Sequence, residues 1–225
     1  MRSKINRMNI TEEIYQIVKR DILSHELPSG EKINIDQLAR TLEVSNIPIR
    51  EALSRLQSEG YLHIVPFKGM FVNLMSLREL NELFEIRLHL EPLAVEKAAL
   101  KIPDEKLASL SEYLNSLRSD KPLGAENGLE TVVEMNDSIH GTILEYCDNI
   151  ILQSLVRGYI EQIQRYLTYI KLNLDLDNRE VEWLEHQSIL QQLMQRDAKG
   201  ASEAMSMHIR NSQKRTNIHF RKTGG

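Results

Sequence analysis

What is scarce in this 225-residue chain narrows its setting before any motif is read. There is a single cysteine, Cys147, so no disulfide can close within the chain, which suits a reducing compartment. With no second cysteine and no basic cluster beside it, Cys147 reads as a small core residue rather than a redox sensor. No apolar run reaches the roughly 20 residues that a membrane-spanning helix needs, and the N-terminus has no apolar secretory core. A soluble, cytoplasmic protein with no membrane partner is expected. Strong positive charge is missing too: the net charge is -4, and the first 75 residues hold 10 basic against 9 acidic groups. Any attraction to a polyanion must therefore come from local placement. Internal repeats and low-complexity linkers are also lacking, while 225 residues with 41% hydrophobic content suffice for two domains.

The richest segment is Ser45-Asn-Ile-Pro-Ile-Arg-Glu-Ala-Leu53 and its continuation to Gly60. Ser45 stands where a helix cap belongs, Pro48 falls in a first turn that needs no amide there, and Ile49, Leu53 and Leu56 recur at helical spacing. The opposite face carries Asn46, Arg50, Ser54 and Arg55. Upstream, Ile35 to Val44 predicts a shorter helix with Leu38, Ala39 and Leu42 facing inward, so the pair reads as a helix-turn-helix. Tyr61 to Ile64 and Met70 to Asn73 predict two strands around Pro66-Phe67-Lys68-Gly69, a wing with a lysine at its tip. A first helix over Thr11 to Ser24, with Ile14, Ile17, Val18 and Leu23 on one side, completes a compact module.

This pattern resembles the GntR family of bacterial regulators, in which Ser-Arg-Thr-Pro-Val-Arg-Glu-Ala-Leu opens the recognition helix. The likeness covers about the first seventy-five residues, including Leu27-Pro-Ser-Gly-Glu-Lys-Ile33 and the Lys68-Gly69 wing. It implies a DNA contact surface of Ser45, Asn46, Ile47, Arg50, Arg55, Lys68 and Gly69. Two departures bear on the operator: Asn46-Ile47 replaces the family's Arg-Thr pair, and Glu43 stands where the turn usually has glycine. Asn46 suits either an adenine edge or a helix cap, and Ile47 either a thymine methyl or the protein interior. Arg50 suits a phosphate, and Lys68 with Gly69 the sugar-phosphate edge. The plainer alternative for Arg50 and Arg55 is a solvated face or an ion pair with Glu51 or Glu59. Because the charge footprint is weak, a homodimer reading a pseudo-palindromic operator is expected, since two copies double the phosphate contacts.

Beyond Leu74 to Leu77 the pattern changes to long helical periodicities. Domains of residues 1-75 and 76-225 are expected, the second an all-α bundle of six helices. These run over about Leu77 to Leu100, Asp104 to Ser119, Gly128 to Cys147, Asn149 to Leu172, Asn178 to Gln195 and Ala198 to Asn217. Lys121 to Gly128 and Leu174 to Asn178 supply breaks between them. The fold class is thus mainly α, a winged helix-turn-helix followed by a helical bundle.

Three histidines of this half can meet. His140 follows Asn136 by one helical turn, so the two share a face. If the chain reverses at Arg196 to Lys199, His186 and His208 fall at similar heights on antiparallel neighbours. Three imidazoles and an amide oxygen can hold a divalent ion with positions left for water or a carboxylate, zinc, nickel and manganese all being compatible. The plainer alternative is that Asn136 bonds His140 and the histidines satisfy buried polar contacts. The same chain order resembles the FCD effector domain of the FadR subfamily, and the helix count its VanR-like branch. That resemblance implies metal binding by Asn136, His140, His186 and His208, with a small carboxylate completing the site. Asn136 departs from the family's usual aspartate and contributes less charge. Leu83 to Ala94 resembles the domain's opening helix, where Arg87 is implied to lie near the effector; the alternative is an Arg87 to Glu91 pair. His89 falls off that face and reads as a packing or surface residue, and His25, His63 and His219 have no metal-ligating residue at useful sequence spacing.

Together these readings predict a ligand-responsive regulator, a repressor as most relatives of this kind are, whose operator affinity is set by metal and carboxylate. Three other readings stand beside it: a dedicated sensor of the ion itself, a helical domain that binds an organic effector without metal, which Asn136 keeps open, and a metal-dependent enzyme. The last finds no glutamate in an HExxH-like arrangement, no second nucleophile, and no role for a winged helix.

Overall fold

A computed structural model describes residues 7–117, 128–170 and 176–222. The chain divides into two compact units, Met1–Met75 and Ser76–Gly225. The first comprises α1 (Arg7–Leu23), α2 (Ile35–Thr41), α3 (Asn46–Ser58), β1 (Leu62–Val65) and β2 (Gly69–Val72). Its core joins Ile14, Tyr15, Val18 and Ile22 of α1 to Ile49, Ala52, Leu53 and Leu56 of α3, with Tyr61, Leu62 and Val72 beneath. The buried side of α1 is therefore turned from the expected one: Tyr15 and Ile22 fill it, while Ile17 is only half-buried. Leu38 and Ala39 of α2, and Leu42 directly after it, pack half-buried against the same core.

Between α2 and α3, Glu43 adopts φ 54°. That left-handed conformation explains why glycine is the usual residue at this turn. The hairpin is shifted by one residue from its expected bounds, with Leu62 paired to Val72 and Val65 to Gly69, leaving Pro66, Phe67 and Lys68 as the turn. A further extended segment backs the wing: the Ile33 N–H donates to the Met70 carbonyl at 2.9 Å and the Val72 N–H to the Glu31 carbonyl at 2.8 Å, which sets Lys32 opposite Phe71.

The second unit comprises α4 (Leu77–Ala98), α5 (Asp104–Leu117), α6 (Gly128–Tyr146), α7 (Ile150–Tyr169), α8 (Leu176–Met194) and α9 (Ala198–Lys222), six helices among the described residues. α9 runs along α4 and α8 and forms the spine of the bundle. It continues past the expected end at Asn217 because Phe220 is buried against Tyr166 and Tyr169. Of the expected breaks, residues 121–127 and 174–175 lie outside the described residues, as do 118–119 and 171–172 of the expected helices. Gly128 opens α6, and Leu176 to Asn178, expected to interrupt the chain, already belong to α8.

Two devices hold this bundle in register. Ser76 accepts from the Glu79 N–H at 3.0 Å and caps α4. At the α8–α9 reversal Arg196 takes φ 57°, and the Asp197 carboxylate accepts from the Gly200 N–H at 2.9 Å. The Arg196 side chain donates to the carbonyls of Ala99, at 3.0 Å, and Ile102, at 2.6 Å, and pairs with Asp104. The hairpin that carries His186 and His208 is thereby tied to the α4–α5 junction. Cys147 is buried, its thiol 3.9 Å from the Asn149 carbonyl.

Candidate functional site

His140 of α6, His186 of α8 and His208 of α9 come together inside the second unit, at 2%, 0% and 1% exposure. One ring nitrogen from each lies within 4.8 Å of the others, and the Nε2 atoms of His140 and His208 are 3.3 Å apart. Nδ1 of His140 faces the Glu91 carboxylate at 2.5 Å, and Nδ1 of His208 faces that of Glu185 at 2.9 Å. A carboxylate only accepts, so each Nδ1 carries a proton, and a ring in its neutral form presents a lone pair at Nε2. With both rings neutral, as metal ligation requires, two lone pairs face one another. Burial lowers the His140 pKa, favouring the neutral ring.

His186 supplies the sharper observation. Both of its ring nitrogens are buried without a hydrogen-bond partner among the described residues, and an unmet buried group of this kind costs about 1–3 kcal/mol. Burial first, then the neighbouring His208 and His140, push its pKa well below 6.5. In their neutral forms the three imidazoles converge as a donor set that a divalent cation satisfies. Two nitrogens sharing a tetrahedral ion stand roughly 3.3 Å apart, given metal–nitrogen bonds of about 2.0–2.1 Å.

Around this cluster lie residues that spacing did not single out as site residues. Arg87 Nε pairs with Glu91, as the plainer reading of Arg87 allowed, and the other oxygen of that carboxylate holds His140. Burial alone would raise the Glu91 carboxyl, but Arg87 and His140 outweigh it and hold the pKa well below the usual range. On the other side, Arg215 donates to Glu185 at 2.8 Å and to Glu182 at 2.5 Å. Burial opposes ionisation of Glu185, yet His208 and Arg215 bring its pKa down to about 2. The histidines therefore sit between two relays, Arg87–Glu91–His140 and Arg215–Glu185–His208. Such partners orient metal-ligating histidines and fix their tautomers. Glu182 and Glu185 also converge on His208, but Arg215 already supplies their cation.

Asn136, one turn before His140, lines a small cavity of about 20 Å³ together with Arg87, Asp137, Gln164 and Ser212. Arg87 is thus both buried in an ion pair and part of a cavity wall.

In the first unit, Arg50, Lys68 and Gly69 line one concave surface with Lys32, Asp36 and Phe67. Arg50 and Lys68 are exposed and make no hydrogen bond or ion pair among the described residues. Gly69 is required at φ 113°, where an added Cβ would also come within 3.1 Å of Lys32 Cε. Lys32 is a basic group the motif did not mark, since only pairing of its backbone with the wing brings it there. Ser45 occupies the cap position of α3, yet its side chain makes no capping bond. Ile47 is 69% exposed rather than packed inside, and Asn46 donates to Asp36 at 3.0 Å instead of capping. Arg55 does not join this surface as a free cation. It pairs with Glu12 at 2.7 Å and Glu59 at 3.0 Å and lies 3.6 Å over the Tyr15 ring, clamping α3 to α1. The ion-pair alternative describes it better than a DNA contact does.

A winged helix-turn-helix with exposed basic groups, followed by a helical bundle enclosing a polar cluster, defines a DNA-binding regulator with a sensory domain. The chain matches the gntR family of bacterial regulatory proteins over residues 10–72 and the FCD domain over residues 82–211, and it belongs to the GntR family of transcriptional regulators carrying an FCD domain. It is 30% identical over 187 residues to the Nta operon transcriptional regulator of Aminobacter aminovorans, covering 83% of this chain and 85% of that one. It is 26% identical over 199 residues to the uncharacterized HTH-type transcriptional regulator YdhC of Bacillus subtilis strain 168, covering 88% and 86%. The solved structure of E. coli McbR/YncC shares the fold with a TM-score of 0.75 at 24% identity, covering 92% of this chain and 96% of that one. These are regulators, and the enzymatic alternative is set aside. Among the described residues no helix is long and apolar enough to cross a membrane.

Proposed function

We propose that this chain is a cytoplasmic, metal-dependent repressor of the VanR-like branch that binds a pseudo-palindromic operator as a homodimer and responds to a small carboxylate. Residues 1-75 form the DNA-binding domain, and residues 76-225 the effector-binding and dimerisation domain. Ser45, Asn46, Ile47, Arg50, Lys68 and Gly69 meet the DNA, joined by Lys32. His140, His186 and His208 hold a zinc, nickel or manganese ion, with the Asn136 amide oxygen on the same side of α6. A bound divalent ion supplies a Lewis-acidic centre to which an effector carboxylate can bind. Arg87 orients that carboxylate and keeps Glu91 ionised, while Glu91 and Glu185 hold the histidine tautomers. For the effector to release DNA, it must bind the DNA-free arrangement more tightly than the DNA-bound one.

One observation carries this reading: both nitrogens of His186 are buried without partners among the described residues, beside two imidazoles whose Nε2 atoms lie 3.3 Å apart. It is tested by elemental analysis of untagged protein prepared without chelator, beside a folded His140→Ala, His186→Ala double variant. About one ion per chain, lost in the variant, is expected; no ion even after reconstitution sinks the metal reading and leaves DNA binding untouched. The small size of the Asn136 cavity favours one further reading, that the ion alone is the signal. Operator release by metal with no carboxylate present is its mark.

A further inference from the structure

Of the chain's four phenylalanines, Phe84 and Phe220 are buried and Phe71 is half-buried beside the His63 ring. Phe67, at the tip of the wing, is fully exposed and meets no other ring or cation among the described residues. Its backbone is held at φ 62°, because the Lys68 N–H donates to the Val65 carbonyl at 3.0 Å and closes a turn with Pro66 second and Phe67 third. A positive φ at the third position is where turns favour glycine or asparagine, and a bulky side chain there is strained. Neither the core nor the turn therefore accounts for a phenylalanine at this place. Its surroundings do: Phe67 lines one concave surface with Lys32, Arg50 and Lys68, and the acidic group of that surface, Asp36, is taken up by Asn46 at 3.0 Å. An apolar ring set among positive charges matches a partner with anionic rails and an apolar interior, which is the chemistry of a DNA duplex.

We infer that Phe67 is a wedge: while Lys32, Arg50 and Lys68 hold phosphates, its ring enters the minor groove, partly unstacks one base step and bends the duplex there. The inference rests on the DNA-contact surface proposed above and adds to it a residue that reads DNA by deforming it. The grooves decide the placement, since a helix such as α3 needs the major groove, about 12 Å wide, whereas the minor groove, about 6 Å wide, admits only a thin element such as a hairpin tip. Because the wing tip shares its concave surface with Arg50 of α3, it reaches over one phosphate strand into the neighbouring groove. Apolar wedges pay for unstacking most easily at flexible pyrimidine–purine steps, TA and CA/TG. Phe67 thereby makes the operator selective at a step with which it forms no hydrogen bond. The closed turn presents the ring before DNA arrives, so little ordering is left to binding.

The test is selection by the full-length protein from duplexes with a random segment of about 40 base pairs, four helical turns, run in parallel with Phe67→Gly and Phe67→Tyr. Glycine suits φ 62°, so Phe67→Gly is expected to keep the turn and the melting temperature. The unmodified protein is expected to enrich a TA or CA/TG step at a fixed position. Phe67→Gly should lose that enrichment and bind the selected duplex at least about fivefold more weakly, with an unchanged salt slope because no phosphate contact is removed. Phe67→Tyr should retain both. With 2-aminopurine replacing the adenine of that step, emission should rise when the unmodified protein binds and stay level with Phe67→Gly. Equal affinities of the two proteins, an enrichment that survives Phe67→Gly, or no emission rise with the unmodified protein overturns the inference. A lowered melting temperature of Phe67→Gly overturns it too, by assigning the ring to holding the wing together. The two failures separate cleanly: unmodified protein that selects no sequence sinks the DNA-contact reading and the wedge with it, whereas protein that selects a sequence without unstacking it sinks only the wedge.

Discussion

At the scale of single residues, the groups that matter most around the histidines are carboxylates that resemble ordinary helix-surface glutamates in the sequence. Glu185 accepts from His208 and from two arginine nitrogens. Replacing it with glutamine keeps the volume but removes the charge that fixes the His208 tautomer. Glu185→Gln is expected to weaken metal affinity by about 10- to 100-fold with the fold intact, as read by chelator competition. An unchanged affinity would show that Arg215 and Glu185 serve packing alone. The histidines also predict how metal-free protein responds to acid. His140 and His186 are held below 6.5 by burial, so as pH falls below 6.5 the unfolded chain takes up protons that the native state refuses. Stability rises with pH in this window and falls on acidification, opposite to a histidine with a raised pKa. Glu185 adds a second loss lower down: its contribution is full above 4.5 and disappears as pH drops from there through about 2. Urea titrations across pH 4 to 8, roughly the span in which buried histidines act, should show the first decline in metal-free protein. On the DNA side, Lys32→Ala should weaken operator binding and reduce the slope of log K against log salt by about one for each copy bound. A slope unchanged within error would remove Lys32 from the contact surface.

At the scale of elements, most of the fold was legible because the periodicities are long and uninterrupted. The six helices of the bundle begin and end close to their expected positions, and the reversal at Arg196 sets His186 beside His208 as the antiparallel argument required. What escaped has identifiable causes. Lys32 is placed by hydrogen bonds between distant backbone segments, which leave no periodic trace. Glu91 was visible only as a local partner of Arg87; that it also holds His140, 49 positions away, needs the packing of α4 on α6. Arg55 was read on the outer face of α3, but Glu12 and the Tyr15 ring come from α1 and capture it. The hairpin itself makes a prediction. Arg196 donates to two backbone carbonyls at the end of α4, so Arg196→Ala is expected to destabilise the protein by about 1–3 kcal/mol in urea denaturation. Its effect on metal affinity should be smaller than that of Glu185→Gln.

At the scale of the whole molecule, two compact units meet in sequence at Met75 and Ser76, and each has a core of its own. Brief proteolysis should therefore yield two resistant fragments, with the metal remaining on the larger. Loss of metal on cleavage would mean that the first unit helps to form the centre. The division also suits a net charge of -4, because the basic groups facing the wing surface need only act locally.

The two relays through the histidines have a consequence for which species can occupy the interior together. Arg87 and Arg215 bring two positive charges, and Glu91, Glu182 and Glu185 three negative ones, so with neutral histidines the two relays carry one negative charge in excess. A weakly polar interior tolerates such an imbalance poorly. A divalent cation seated among the histidines turns it into a single positive excess, which one monoanionic companion cancels. The relays thus suit an ion that arrives with, or then recruits, a single negative charge.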